Sequence, residues 1–138
     1  MKILIDTNVV LDVLQIRQPY FESSAKIFEW AAKNKKGSIT AAQTTDIFYF
    51  VRKGLKNAEQ TKQILLKMQS RFEVLSVLHE DVDAALASDM SDYEDALIAH
   101  CAARHGVNYI VTRNAKDFES SPVVAITPED FLLKVYKG

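Results

Sequence analysis

Ile3, Leu4 and Ile5 run directly into Asp6, and no other short stretch narrows the choice of fold as much. Three consecutive apolar residues, two of them β-branched, suit a strand covered on both faces, as in the inner part of a parallel sheet. A carboxylate at the tip of such a strand is desolvated and costs free energy unless something pairs with it. Thr7 and Asn8 follow, and Val9, Val10, Leu11, Val13 and Leu14 resume an apolar pattern.

Strand signals recur along the chain, at 2–6, 38–40, 74–77, 108–112 and 123–126. Helical patterns lie between them. In 21–35, Phe21, Ala25, Phe28 and Ala32 fall at helical spacing, with Gly37 read as the stop. Segments 41–53 and 59–71 read as two more helices separated by Gly54 and Asn57, and 80–88 and 93–105 as a further pair, the second closed by Gly106. A last helix starts at Thr127-Pro128, a capping threonine before a first-turn proline. Strands alternating with helices, the first and fourth strands continuously apolar, predict an α/β domain around a mainly parallel sheet. Ligands of such sheets gather beyond the carboxyl ends of the strands, where Asp6 and the segment TRNAKDF both fall.

Composition removes several function classes. At 138 residues the chain reads as a single domain spanning 1–138. The net charge of −1 offers no global positive field for a polyanion. One cysteine, Cys101, excludes an internal disulfide and a cysteine-based zinc site, and its setting in LIAHCAA reads as core. No apolar run has the length of a membrane span and no signal-peptide pattern opens the chain, so a cytoplasmic protein without membrane contact is expected. The four glycines form no phosphate-cradling loop, and His79, His100 and His105 lack zinc-site spacing.

Four separated acids remain: Asp6, Asp46, Asp95 and Asp117. Each has a structural explanation when taken alone. Asp6 and Asp92 suit helix caps, Asp95 suits the positive end of a helix dipole, and Asn114 with Asp117 could cap the segment that follows. Asp46, read as lying mid-helix among Ile47, Phe48, Phe50 and Val51, fits capping worst. Carboxylates gathered at one sheet edge repel by about 4 kcal/mol per pair at 4 Å and an effective dielectric near 20. A hard divalent cation, Mg²⁺ or Mn²⁺, relieves that repulsion through oxygen ligands.

The blocks MKILIDTNVVLDVL, TTDIFYFVRK, DYEDALIAHCAARHGVNYIVTRNAKDF and ITPEDFL, in this order, resemble the PIN-domain nucleases over essentially the whole chain. That resemblance implies a three-layer αβα fold and an acidic pocket for Mg²⁺ or Mn²⁺ that hydrolyses phosphodiesters of single-stranded RNA, leaving 5′-phosphate and 3′-hydroxyl ends. It also implies a toxin of a toxin–antitoxin pair, with an antitoxin protein, the RNA substrate and a second copy of the chain as partners. By position, Asp6 and Asp95 become metal ligands, Asp46 falls on the second acidic position and Asp117 on the fourth. Asp92, Asn114, Thr7 and Thr112 become supporting residues of the pocket. Many PIN toxins carry glutamate where this chain has Asp46, one methylene shorter, which suits a water-bridged contact.

In this reading Asp46 or Asp117 orients the attacking water, Arg113 and Lys116 are candidate RNA contacts, and Phe48 to Val51 is the candidate dimer contact. Two rivals stand beside the ribonuclease: an inactive PIN-like scaffold, and a hydrolase of small phosphate esters. The phosphoacceptor form of the latter lacks the second aspartate expected beside Asp6 or two positions after it.

Overall fold

A computed structural model describes residues 1–136. Five strands, β1 (Ile3–Ile5), β2 (Gly37–Thr40), β3 (Glu73–Leu75), β4 (Tyr109–Val111) and β5 (Val124–Ile126), form one sheet in the order β3-β2-β1-β4-β5, with every pairing parallel. The helices are α1 (Thr7–Leu14), α2 (Phe21–Asn34), α3 (Gln43–Leu55), α4 (Ala58–Arg71), α5 (His79–Ala87), α6 (Tyr93–Arg104) and α7 (Pro128–Tyr136). This is the three-layer α/β arrangement expected.

The period of two along β1 divides the core. Ile3 and Ile5 face a cluster supplied by α1, α2, α3, α4 and α7, including Val9, Ile27, Ile47 and Phe131. Leu4 faces the other side, against Ile98, Ala99 and Ala102 of α6. All three β1 residues are fully buried, which is why that strand needs apolar residues at consecutive positions. Burying each such side chain contributes about 1.5–3 kcal/mol.

One option left open by the sequence and two departures from it are instructive. The segment after Asp6 is a helix entered with no intervening loop, because Asp6 itself caps it: its Oδ1 accepts from Thr7 N at 2.9 Å. Gly37 is not the stop of α2. Lys35 ends that helix in the left-handed conformation at φ 55°, and Gly37 instead opens β2. A Cβ on Gly37 would lie 2.5 Å from Phe72 Cδ1, so close packing is what requires glycine there. Finally, α3 starts at Gln43 rather than 41, which puts Asp46 in its first turn and not in mid-helix.

Candidate functional site

A cleft of about 580 Å³ opens beyond the carboxyl ends of β1 and β4, and its walls carry five acids: Asp6, Asp46, Asp92, Glu94 and Asp95. Three separate elements deliver them. Asp6 joins β1 to α1, Asp46 comes from the first turn of α3, and the others come from the start of α6. Parallel topology explains the meeting, since every βα junction emerges on the same edge of the sheet.

Asp6 is held most firmly. Its Oδ2 accepts a 2.7 Å hydrogen bond from Thr112 Oγ1 at the end of β4 and a longer one from Asn8 Nδ2 at 3.3 Å. Burial pushes its carboxyl above the usual range, while the bonds from Thr112 and Thr7 and the charge of Arg113 pull the other way. Asp92 caps α6 by accepting from Asp95 N at 2.9 Å. Burial lifts Asp95 to about 7, and the charges of Asp6, Asp92 and Asp117 add to it. Glu94 is also raised to about 7, chiefly because Asp46 lies within hydrogen-bonding reach, with burial and the neighbouring acids adding to it.

The placement of the other expected residues is mixed. Asn114 and Thr7 line the cleft, and Thr112 is fully buried behind it as the donor to Asp6. Asp117 sits on the 3-10 turn Ala115–Phe118, exposed and outside the cleft wall, although its charge reaches Asp95. Lys116 is exposed on the same turn. Arg113 is no free cation: its Nε donates to Asp12 Oδ2 at 2.8 Å, its Nη2 to Oδ1 at 3.2 Å, and the guanidinium lies 3.9 Å from the centre of the Tyr20 ring. That pairing ties α1 to the β4 loop and places a carboxylate against the guanidinium, which keeps three of its five N–H groups outside the pair. In the stretch 48–51, Tyr49 and Phe50 are exposed, Phe48 is partly buried and Val51 is buried in the core.

Four contributors escape a reading of the sequence. Asp12 stands in an apolar run and is fully buried, so the desolvation argument made for Asp6 applied equally to it. Glu94 is one of two acids in a first turn that Asp92 already caps. Buried Gln43 donates from Nε2 to the Ile5 carbonyl at 2.8 Å and accepts from Thr40 N at 2.7 Å, pinning the start of α3 to the ends of β1 and β2. Arg17 is a cation on the cleft wall. No local sequence signal marks Gln43 or Arg17.

All the cleft acids offer hard oxygen donors, the set preferred by Mg²⁺ or Mn²⁺. Among the described residues, no three histidine, cysteine, aspartate or glutamate side chains stand close enough to hold an ion between them. Mg²⁺ usually takes only one or two direct carboxylates and keeps several waters, so Asp6 and Asp95 are the residues that could hold it.

A PIN domain family model matches residues 2–116, ending one residue before Asp117. No curated protein sequence matches the chain as a relative. Among solved structures, the chain is similar to one from VapBC2 of Rickettsia felis bound to a promoter DNA fragment, with 22% identity, a TM-score of 0.71 and coverage of 92% of this chain and 98% of that one. It is also similar to a chain of a toxin–antitoxin complex from Klebsiella pneumoniae, at 22% identity and TM-score 0.70 over 92% and 98% of the two chains. DNA-bound VapBC from Salmonella typhimurium gives 21% identity and TM-score 0.70 over 93% and 98%.

Proposed function

This chain belongs to the PIN-domain family, and from that premise we propose that it is a divalent-metal-dependent endoribonuclease acting on single-stranded RNA, the toxin of a toxin–antitoxin pair. The observation that carries the reading is the meeting of carboxylates from β1, α3 and α6 in one cleft, with Asp6 held in place by Thr112. An acidic cleft facing a polyanion is repulsive unless a cation mediates. The similar VapBC and toxin–antitoxin structures support the antitoxin partner.

Asp6 and Asp95 would hold a Mg²⁺ or Mn²⁺ ion, with Asp46 and Asp92 contacting it through water. When bound, such an ion neutralises charge on the phosphate and lowers the pKa of the attacking water. The hydrogen bonds from Thr112 and Thr7 orient the Asp6 carboxyl and pull its pKa down against the burial that raises it. Glu94, whose carboxyl is poised near neutrality by Asp46, accepts the proton of the attacking water. It takes the role expected of Asp46 or Asp117, the second of which lies outside the cleft wall. The water oxygen bonds to phosphorus, the bond to the 3′ oxygen breaks, and that oxygen is protonated by solvent to leave 3′-hydroxyl and 5′-phosphate ends.

The test is cleavage of a labelled single-stranded RNA with Mg²⁺, Mn²⁺ or EDTA. Cleavage should require the metal and disappear in Asp95→Asn at unchanged fold. Equal activity in EDTA or in the variant contradicts the proposal.

A further inference from the structure

Among the described residues, Arg17 is the one cation lining a cleft that carries five acids, and it forms an ion pair with none of them. The half-buried arginines elsewhere behave differently: Arg104 and Arg113 each fork onto a buried aspartate, Asp81 and Asp12. Arg17 instead sends Nε and Nη2 to a single neutral acceptor, Gln15 Oε1, at 3.0 and 2.6 Å. Three of the five guanidinium N–H groups stay free of that contact.

The local chain is built around this placement. Gln15 is fixed in turn by its Nε2, which donates to the Phe50 carbonyl of α3 at 3.0 Å. Arg17 N donates to the Asp12 carbonyl at 2.9 Å, closing the end of α1. Between them Ile16 has φ 50°, a left-handed conformation that a β-branched residue rarely adopts. Phe50, whose carbonyl holds Gln15, lines the same cleft as Arg17 and is 40% exposed, its ring edge-to-face with Tyr49 at 5.2 Å between centroids. An arginine fork held by a neutral amide, next to an exposed aromatic face, is the pairing that binds a nucleic-acid strand through phosphate and base.

We propose that Arg17 and Phe50 form a nucleotide subsite in which Arg17 binds a backbone phosphate of single-stranded RNA next to the scissile one and Phe50 stacks the adjoining base. The proposal rests on the ribonuclease reading for its substrate. The neutrality of Gln15 matters to the arrangement, because a carboxylate at that position would pair its charge with the guanidinium. A guanidinium without a carboxylate partner leaves its charge uncompensated for an incoming phosphate, and the three N–H groups that Gln15 does not take are the donors the phosphate oxygens would meet.

The experiment uses a fluorescein-labelled single-stranded RNA and compares wild type, Arg17→Gln, Arg17→Lys and Phe50→Ala. Cleavage kinetics are read in Mn²⁺, and binding is read by anisotropy against salt in the Asp95→Asn background. Arg17→Gln should raise KM and Kd about tenfold, losing charge-assisted bonds, and reduce the slope of log K against log salt by about 0.7, one single-strand phosphate contact. Arg17→Lys should restore the slope but recover only part of the affinity. Phe50→Ala should weaken binding about tenfold with the slope unchanged. Melting temperatures identify any variant that fails to fold, and Arg17→Lys then carries the test. Wild type that cleaves, with Arg17 and Phe50 variants indistinguishable from it, overturns the subsite and leaves the nuclease standing. RNA that is bound but not cleaved, with these shifts present, overturns the nuclease and keeps the subsite. RNA neither bound nor cleaved overturns both.

Discussion

Thr112 Oγ1 donates a 2.7 Å hydrogen bond to Asp6 Oδ2, joining the ends of β4 and β1 across 106 residues of sequence. Thr112 is fully buried and Asp6 nearly so, which limits how well water can replace this bond if it is lost. Thr112→Val keeps the shape and removes the donor, and should lower stability by about 2 kcal/mol, the scale of a hydrogen bond to a charged group. Urea unfolding at neutral pH reads the loss. Thr112→Ser should retain most of the stability, and equal losses in the two variants would assign the effect to packing instead.

Asp12 and Arg113 form the second long-range tie, with the aspartate fully buried and the arginine roughly a quarter exposed. Removing one partner of such a pair leaves an uncompensated charge and costs about 3–5 kcal/mol. Asp12→Ala and Arg113→Met should each be destabilising on that scale. The double variant Asp12→Leu with Arg113→Met should recover a large part of the loss, since neither charge is then stranded. A double variant that loses the sum of both single effects would show that the pair is not the source.

Stability without metal should depend on pH in a direction fixed by the cleft. Asp95 and Glu94 are raised to about 7 in the folded chain, while in the unfolded chain such carboxyls titrate near about 4. The folded state therefore holds these protons more tightly, so the stability they contribute is full below about pH 4 and is lost as pH rises through 7. Asp81 works the other way: its hydrogen bonds from Arg104 lower its pKa, so its contribution disappears as pH falls into the acid range. Melting temperature in EDTA should decline between pH 4 and 7, and Asp95→Asn should flatten that decline. An unchanged slope in the variant would rule Asp95 out as its origin.

Gly37 makes a prediction about packing alone. A Cβ there meets Phe72 Cδ1 at 2.5 Å and Ala31 Cβ at 2.8 Å, both in the core on one face of the sheet. Gly37→Ala should cost about 1–3 kcal/mol through overpacking. Chemical denaturation measures it, and a second change, Phe72→Leu, should relieve part of the strain.

What could be read from the sequence was whatever depends on near neighbours. The apolar run 3–5 followed by Asp6, the capping Asp92 three residues before Asp95, and the strand at 109–111 all carry their signal locally, and with them the parallel sheet and its acidic edge. The rest depends on partners far away in the chain. Asp12 resembles any helix-surface acid until Arg113, 101 residues on, covers it. Gln43 has no local signature because its acceptor, the Ile5 carbonyl, is 38 residues back. Arg17 reads as a surface charge until Gln15 is seen held by the Phe50 carbonyl, 35 residues on. Asp46 was misplaced for a smaller reason: a helix start shifted by two residues moved it from the middle of α3 to its first turn.

Mn²⁺ titration by calorimetry, run on wild type, Asp6→Asn and Asp95→Asn, tests the shared ion site without any RNA. One saturable site in the wild type, with protons released near neutral pH and affinity greatly weakened in both variants, is the expected result. No heat of binding in the wild type, or undiminished binding in both variants, would mean that the cleft acids do not act together on a metal.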